Sequence, residues 1–150
     1  MQIPPMMQGV DYFANSSIDM LIGMEVGLSN LMFSYTEYLG HFPSEPTRPI
    51  LQRHHETIRA ILDKLANIVE VHGYIPDMKA FVAGTAYIQD ISDVAAKEPR
   101  LTFLSIANTQ IITFLGKAID TTSIESDVKS LYAEITREHR DIHIELFSKE

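Results

Sequence analysis

An all-α domain is the fold class that this sequence predicts, on three observations. Four segments repeat apolar residues at alternating three- and four-residue intervals, the spacing that lines one side of a helix. Prolines fall at the segment boundaries, where they stop or start helices. Nothing in the chain alternates strand and helix patterns in the β-α-β manner.

The first helix is expected to begin at Ser16 or Ser17, either of which can accept a hydrogen bond from a free backbone N–H, with Asp19 adding negative charge in the first turn. Residues 1–15, which hold Pro4, Pro5 and Gly9, are then an irregular arm. From the helix start, Ile18, Leu21, Glu25, Leu28, Met32, Tyr35 and Leu39 form a seam in which Glu25 is the one charge. Gly40, Pro43, Pro46 and Pro49 make a stiff connection, with Ser44 and Thr47 available as caps. The second helix carries Leu51, His55, Ile58, Leu62, Leu65, Val69 and His72 and should end at Gly73. A third helical segment opens at Pro76 and Asp77 and closes before Pro99, long enough to carry the chain back along the others. The fourth, about residues 100–119, has Leu101, Leu104, Asn108, Ile111, Leu115 and Ala118 on its seam and Phe103, Ile106, Ile112 and Phe114 on other faces. Such an all-round apolar helix is either central or packed on a second subunit. Ser123 is a candidate cap for the fifth helix, whose seam is Val128, Tyr132, Ile135, His139, Ile142 and Leu146.

Composition narrows the function. The chain of 150 residues reads as one domain, residues 1–150. Twenty acidic against twelve basic residues leave a net charge of −8, a sign that repels nucleic acid. Cysteine is absent, so a metal would need His and carboxylate ligands. The beginning of the sequence lacks the charge and apolar run of a signal peptide, and no run is long enough to span a membrane, which makes the cytoplasm the default location. Gly-rich phosphate loops and nucleophile elbows are also missing from the sequence.

The seams hold the informative residues. An inward acid, Glu25, precedes an inward histidine, His55; after the long third segment, Asn108 and His139 repeat the order, as an ancient duplication would. Over residues 17–147 this arrangement resembles the ferritin-like group, a four-helix bundle here with an additional crossover helix. In that group two helices each give a Glu and two others each give Glu-x-x-His to a pair of irons. Glu25 matches the first position, whereas Asn108 replaces the second carboxylate, and Gln52 and Thr136 replace the glutamates before the histidines. Along the helix axes Glu25 and His55 should also be separated, at about 21 Å and about 12 Å from their shared connection. The plainer expectation is that each polar seam residue finds a hydrogen-bond partner: His55 near Met32 and Tyr35, His139 near Leu104, Ser105 and Asn108.

Three further patterns bear on function. His139 and His143 are spaced so that both could reach one ion, with Glu138 or Glu56 assisting. Arg137 and His143 form Arg-x5-His, similar to the ribonuclease motif of HEPN domains, in which the resemblance implies a phosphate-binding Arg and a proton-handling His. His55 with Gly73 and Tyr74 resembles spore-coat-F-like bundles of the ferritin-like group, which carry a helical histidine upstream of a Gly-aromatic pair, and the resemblance implies a non-catalytic structural role. The reading that follows is a non-enzymatic structural or interaction protein without a bound cofactor, forming a homodimer through its fourth helix. The alternative is a divergent metal-binding bundle in which Glu25, His55, Glu138, His139 and His143 hold Fe, Mn or Zn, and the third is a HEPN-like ribonuclease.

Overall fold

The computed structural model describes residues 11–41, 47–97, 101–120 and 124–147. Among these residues all regular structure is helical, in five helices: α1 Asp11–Leu39, α2 Thr47–His72, α3 Met78–Lys97, α4 Leu101–Ile119 and α5 Ser126–Phe147. None of them is long and apolar enough to cross a membrane. The expected arm is shorter than its sequence suggested, because α1 already includes residues 11–15; residues 1–10 and the proposed caps Ser44 and Ser123 lie outside the described residues. Ser16 and Ser17 are therefore inside α1, and the Ser16 hydroxyl is used elsewhere, donating to Asp77 Oδ2 at 3.0 Å. A serine hydroxyl that has a tertiary partner does not have to cap its own helix.

The α2–α3 turn is built by its own residues. Gly73 has φ 63°, and the bonds from Gly73 N to Glu70 O and from Tyr74 N to Val69 O close the C-terminal motif that this conformation permits. Asp77 then caps α3, its Oδ1 accepting from the N–H groups of Lys79 and Ala80 at 3.1 and 3.2 Å. These bonds, with that from Ser16, hold the Asp77 carboxyl below its ordinary range. The Asp77 N–H in turn donates to the carboxylate of Asp19. One aspartate thus ends the turn, starts α3 and fastens both to α1.

α1 and α3 run parallel in close approach: Ser16 meets Asp77, and Thr85 Oγ1 donates to Gly23 O at 3.5 Å. Glycines make this possible. A Cβ on Gly84 would run into the Met20 carbonyl, and one on Gly23 into Phe81 O and Thr85 N. Glycine in a helix interior costs about 1 kcal/mol relative to alanine, a cost that the backbone contact here offsets.

α2 is antiparallel to α1 and to α5, as shown by Ser29 against His55, His54 against Glu145 and Lys64 against Glu134. α1 packs on α2 and α4, α5 packs on α2 and α4, and α3 lies outside this ring against α1 and α4. α3 therefore returns the chain to the end at which α2 began. The core within the ring includes Ile18, Leu21, Leu28, Ile58, Ile61, Leu104, Ile111, Leu115, Val128 and Ile135. α4 touches α1, α3 and α5, so three neighbours account for its apolarity: Phe103 and Phe114 pack on the core, and among its large apolar side chains Ile106 stays exposed.

The α1–α3 contact sets an expectation. Gly84→Leu should lower the unfolding free energy in urea by about 1–3 kcal/mol, the usual cost of forcing volume into a packed contact. Ala83→Leu, one residue away at an exposed position, should change it by less than about 0.5 kcal/mol. Equal effects of the two would contradict the close approach.

Candidate functional site

Three polar side chains from three helices meet on the axis of the ring. Glu25 from α1, Asn108 from α4 and His139 from α5 are at most 1 % exposed. His139 Nε2 lies 2.5 Å from Glu25 Oε1, and its Nδ1 lies 2.7 Å from Asn108 Oδ1. Asn108 Nδ2 donates to the backbone carbonyl of His139 at 3.0 Å. That bond fixes the amide: its nitrogen faces a carbonyl, so its oxygen faces the ring, and Nδ1 must carry the hydrogen. The remaining proton lies between Nε2 and Oε1. Whichever atom holds it, the pair is neutral overall, which is how a low-dielectric interior tolerates an acid and a base together.

Local sequence explains the convergence. His139 belongs to the α5 seam with Tyr132, Ile135 and Ile142, all buried, and Asn108 belongs to the α4 seam with Leu104, Ile111 and Leu115. The expectation that His139 lies near Asn108 is what the structure shows. Its contact with Glu25 was not legible, because sequence spacing gives depth along a helix and not which helices adjoin. The fourth wall is apolar. The register set by Ser29 with His55, and by His54 with Glu145, brings Ile58 and Ile61 of α2 to this level.

Of the other expected ligands, His55 and His143 have partners elsewhere. His55 is half-buried between α1 and α2, its Nε2 2.9 Å from Ser29 Oγ, one turn before the predicted level of Met32. The buried histidine of α2 is its neighbour His54, 6 % exposed, which the seam reading missed because α2 faces both α1 and α5 and its buried sector is wider than one stripe. Burial first, and Arg53 second, push the His54 imidazole below its ordinary value, and its Nε2 lies 2.9 Å from Glu145 Oε2. Glu138 feels the charges of Lys64 on α2 and of the central pair, His139 and Glu25. Burial raises its carboxyl, opposed by Lys64, and its Oε2 is buried without a hydrogen-bond partner among the described residues. His143 packs on Phe147 with ring centroids 5.0 Å apart, while Arg137 lines a groove between α4 and α5 to which His143 does not contribute. Of the five candidate ligands, Glu25 and His139 touch, Glu138 lies close enough to both to feel their charge, and His55 and His143 have other neighbours.

A second titratable cluster was not singled out from the sequence. His72, at the end of α2, has Nδ1 2.6 Å from Glu125 Oε2 and Nε2 2.6 Å from Asp127 Oδ2, and its ring stacks on Tyr74 at 5.2 Å. Among the described residues these three alone offer histidine and carboxylate atoms all within 4.8 Å of one another. The carboxylates flank opposite nitrogens of one imidazole, each within hydrogen-bond distance of its own nitrogen. The bond from His72 is the main cause that holds the Asp127 carboxyl below its ordinary value. Glu125 and Asp127 lie more than fifty residues from His72, so no local spacing announces the cluster.

Two turns below His139 on α5, the Tyr132 hydroxyl is buried with no hydrogen-bond partner among the described residues. Burial, with Tyr74 and Asp19 adding to it, raises its ionisation far above the ordinary phenol. Asp19 is itself raised by burial, against the lowering bond from the Asp77 N–H. No family model matches this sequence, and the searches of curated proteins and of solved structures found no match to it.

Two outcomes follow from this geometry. Glu25→Leu should cost about 3–5 kcal/mol of stability in chemical denaturation, since it leaves His139 buried without its partner, and adding His139→Leu should recover a large part of that loss. Full additivity of the two substitutions would show that the side chains are not coupled. Tyr132 gives a pH signature. The unfolded chain releases the phenol proton near the ordinary value of 10.0 while the folded chain retains it, so stability from this group is intact below pH 10.0 and declines as pH rises further. Tyr132→Phe should flatten that alkaline decline relative to the parent chain, and should cost little at neutral pH because the hydroxyl it removes is unpartnered.

Proposed function

We propose that the chain is a ferritin-like four-helix bundle, with α3 as its additional crossover helix, that acts as a non-enzymatic structural or interaction protein in the cytoplasm. The order of helix directions supports the ferritin-like reading: α1 and α5 run one way in the ring, α2 and α4 the other, and a long external segment joins α2 to α4. The observation that carries the functional reading is that both nitrogens of His139 are taken by protein groups, Glu25 and Asn108, at the place where a di-iron bundle presents ligands. With isoleucines arriving from α2 and an amide from α4, the residues at this level do not fit a pair of metal ions. The interior reads as a polar bolt across the ring and not as a reaction centre.

Interaction is the remaining use of such a surface, and we place self-association in the same proposal. Sequence reasoning put it on α4, but α4 retains one exposed large apolar residue, Ile106. Val71, Ile75, Met78 and Val82 succeed one another through the end of α2, the turn and the start of α3, each more than half exposed. An apolar strip of that kind suits a second copy of the chain. A metal-binding reading is favoured by one observation only: Glu25 Oε2 and Glu138 Oε2 are both buried with no partner among the described residues.

Elemental analysis of protein purified without chelators separates these readings. The expected content of Fe, Mn or Zn is below about a tenth of an equivalent per chain, since one carboxylate and one imidazole already bonded to each other make a poor site. About one equivalent, lost on Glu25→Gln, would overturn the proposal in favour of the metal-binding bundle. Sedimentation equilibrium tests the second part. The parent chain should be dimeric and Ile75→Asp/Val82→Asp monomeric, and a parent chain that stays monomeric at high concentration would remove self-association.

A further inference from the structure

Two cations of α2 are engaged by carboxylates of α5. Arg53 pairs with Glu145, and Lys64 bonds Glu134 at 2.5 Å. The groove between the C-terminal half of α4 and the middle of α5 is different. It encloses about 550 Å³ and is lined by Lys117, Arg137 and Arg140, with Asp120 as its single acid. In a chain with a net charge of −8, cations outnumber acids among the residues that line this groove. Arg137 and Arg140 are both exposed, and neither has a carboxylate partner among the described residues. Glu134, one turn before Arg137 on α5, is already engaged by Lys64.

We propose that this groove binds a small organic phosphate monoester, the phosphate held by Arg137 and Arg140 and the organic part lying on Ile112, Ile119 and the open face of Gly116. The volume falls within the range of about 300–1,000 Å³ usual for small-ligand sites. Two guanidinium groups three residues apart on a helix project side by side, and their planar forks match phosphate oxygens in pairs. A dianion balances the charge surplus. The wall is not uniformly polar: Ile112, Ile119 and Ala133 line it beside the cations, which favours a phosphate attached to an apolar body over the free ion. Gly116 leaves the groove wide, since a Cβ there would meet no heavy atom within 4 Å. His143 does not line this groove, so the site is one of binding and has no proton-handling imidazole among its lining residues. The inference is independent of the buried Glu25–His139 pair and of self-association, neither of which it uses.

Phenyl phosphate is the probe, followed by isothermal titration calorimetry and by ³¹P NMR at physiological salt. Saturable binding of one molecule per chain is expected, with inorganic phosphate and phenol each binding more weakly. Arg137→Gln/Arg140→Gln should weaken phenyl phosphate at least about tenfold through the loss of charge-assisted bonds. Gly116→Leu should weaken it by a similar factor by occupying the groove, while its unfolding midpoint does not fall, because leucine is the better helix former and has room. Absence of saturable binding at millimolar probe would overturn the proposal. So would unchanged affinity in both variants with their unfolding midpoints preserved, or binding of phenol as tight as that of its phosphate ester.

Discussion

Removing a carboxylate and an imidazole from water costs several kcal/mol for each ion, and the interior of a small helical protein recovers that cost only if the two meet at hydrogen-bond distance. Glu25 and His139 satisfy this condition at 2.5 Å with both side chains fully buried. The consequence is geometric. α1 and α5 have no freedom to slide past each other by a turn without stranding one of the two groups, and Asn108 extends the same condition to α4 through both ends of its amide. Apolar seams alone would tolerate several registers of nearly equal energy, and a single buried polar contact selects one of them.

The remaining polar pairs repeat this logic at lower stakes along the α2–α5 contact. His54 with Glu145, Lys64 with Glu134 and His72 with Asp127 succeed one another from one end of the pair to the other. Being partly exposed, they contribute orientation more than stability. At the far end Asp19, Ser16 and Asp77 tie the α2–α3 turn to α1, so that α3 starts where glycines permit it to lie against its neighbour. Buried Tyr132 lies close enough to Asp19 and Tyr74 to feel their charge, which places it between this latch and the central pair.

Function follows from where the polar groups are spent. Inside the ring Glu25, Asn108 and His139 bond to one another, which argues for helices held in one register. Outside it, in a chain of net negative charge, one groove is bordered by Arg137 and Arg140, neither of which has a carboxylate partner among the described residues. In the reading proposed above, the faces carry the function: an apolar strip from α2 to α3 for another copy, and a basic groove between α4 and α5 for an anion.

The seam of α5 was legible residue by residue, since Val128, Tyr132, Ile135, His139 and Ile142 are all buried, and most of the α4 seam was too. The helix count and the closeness of His139 to Asn108 were legible with them. The α2 seam was read one residue off at its histidine, and α1 begins five residues earlier than its serines suggested. Local chemistry and periodicity determined which faces of which helices turn inward, because those depend on neighbours a few positions away. Only the tertiary structure decided that Glu25 meets His139, that His72 lies between Glu125 and Asp127, and that the unpaired arginines border a groove. Those contacts join residues 114, 53 to 55 and about 20 positions apart, and such meetings are set by how helices assemble and not by any spacing along the chain.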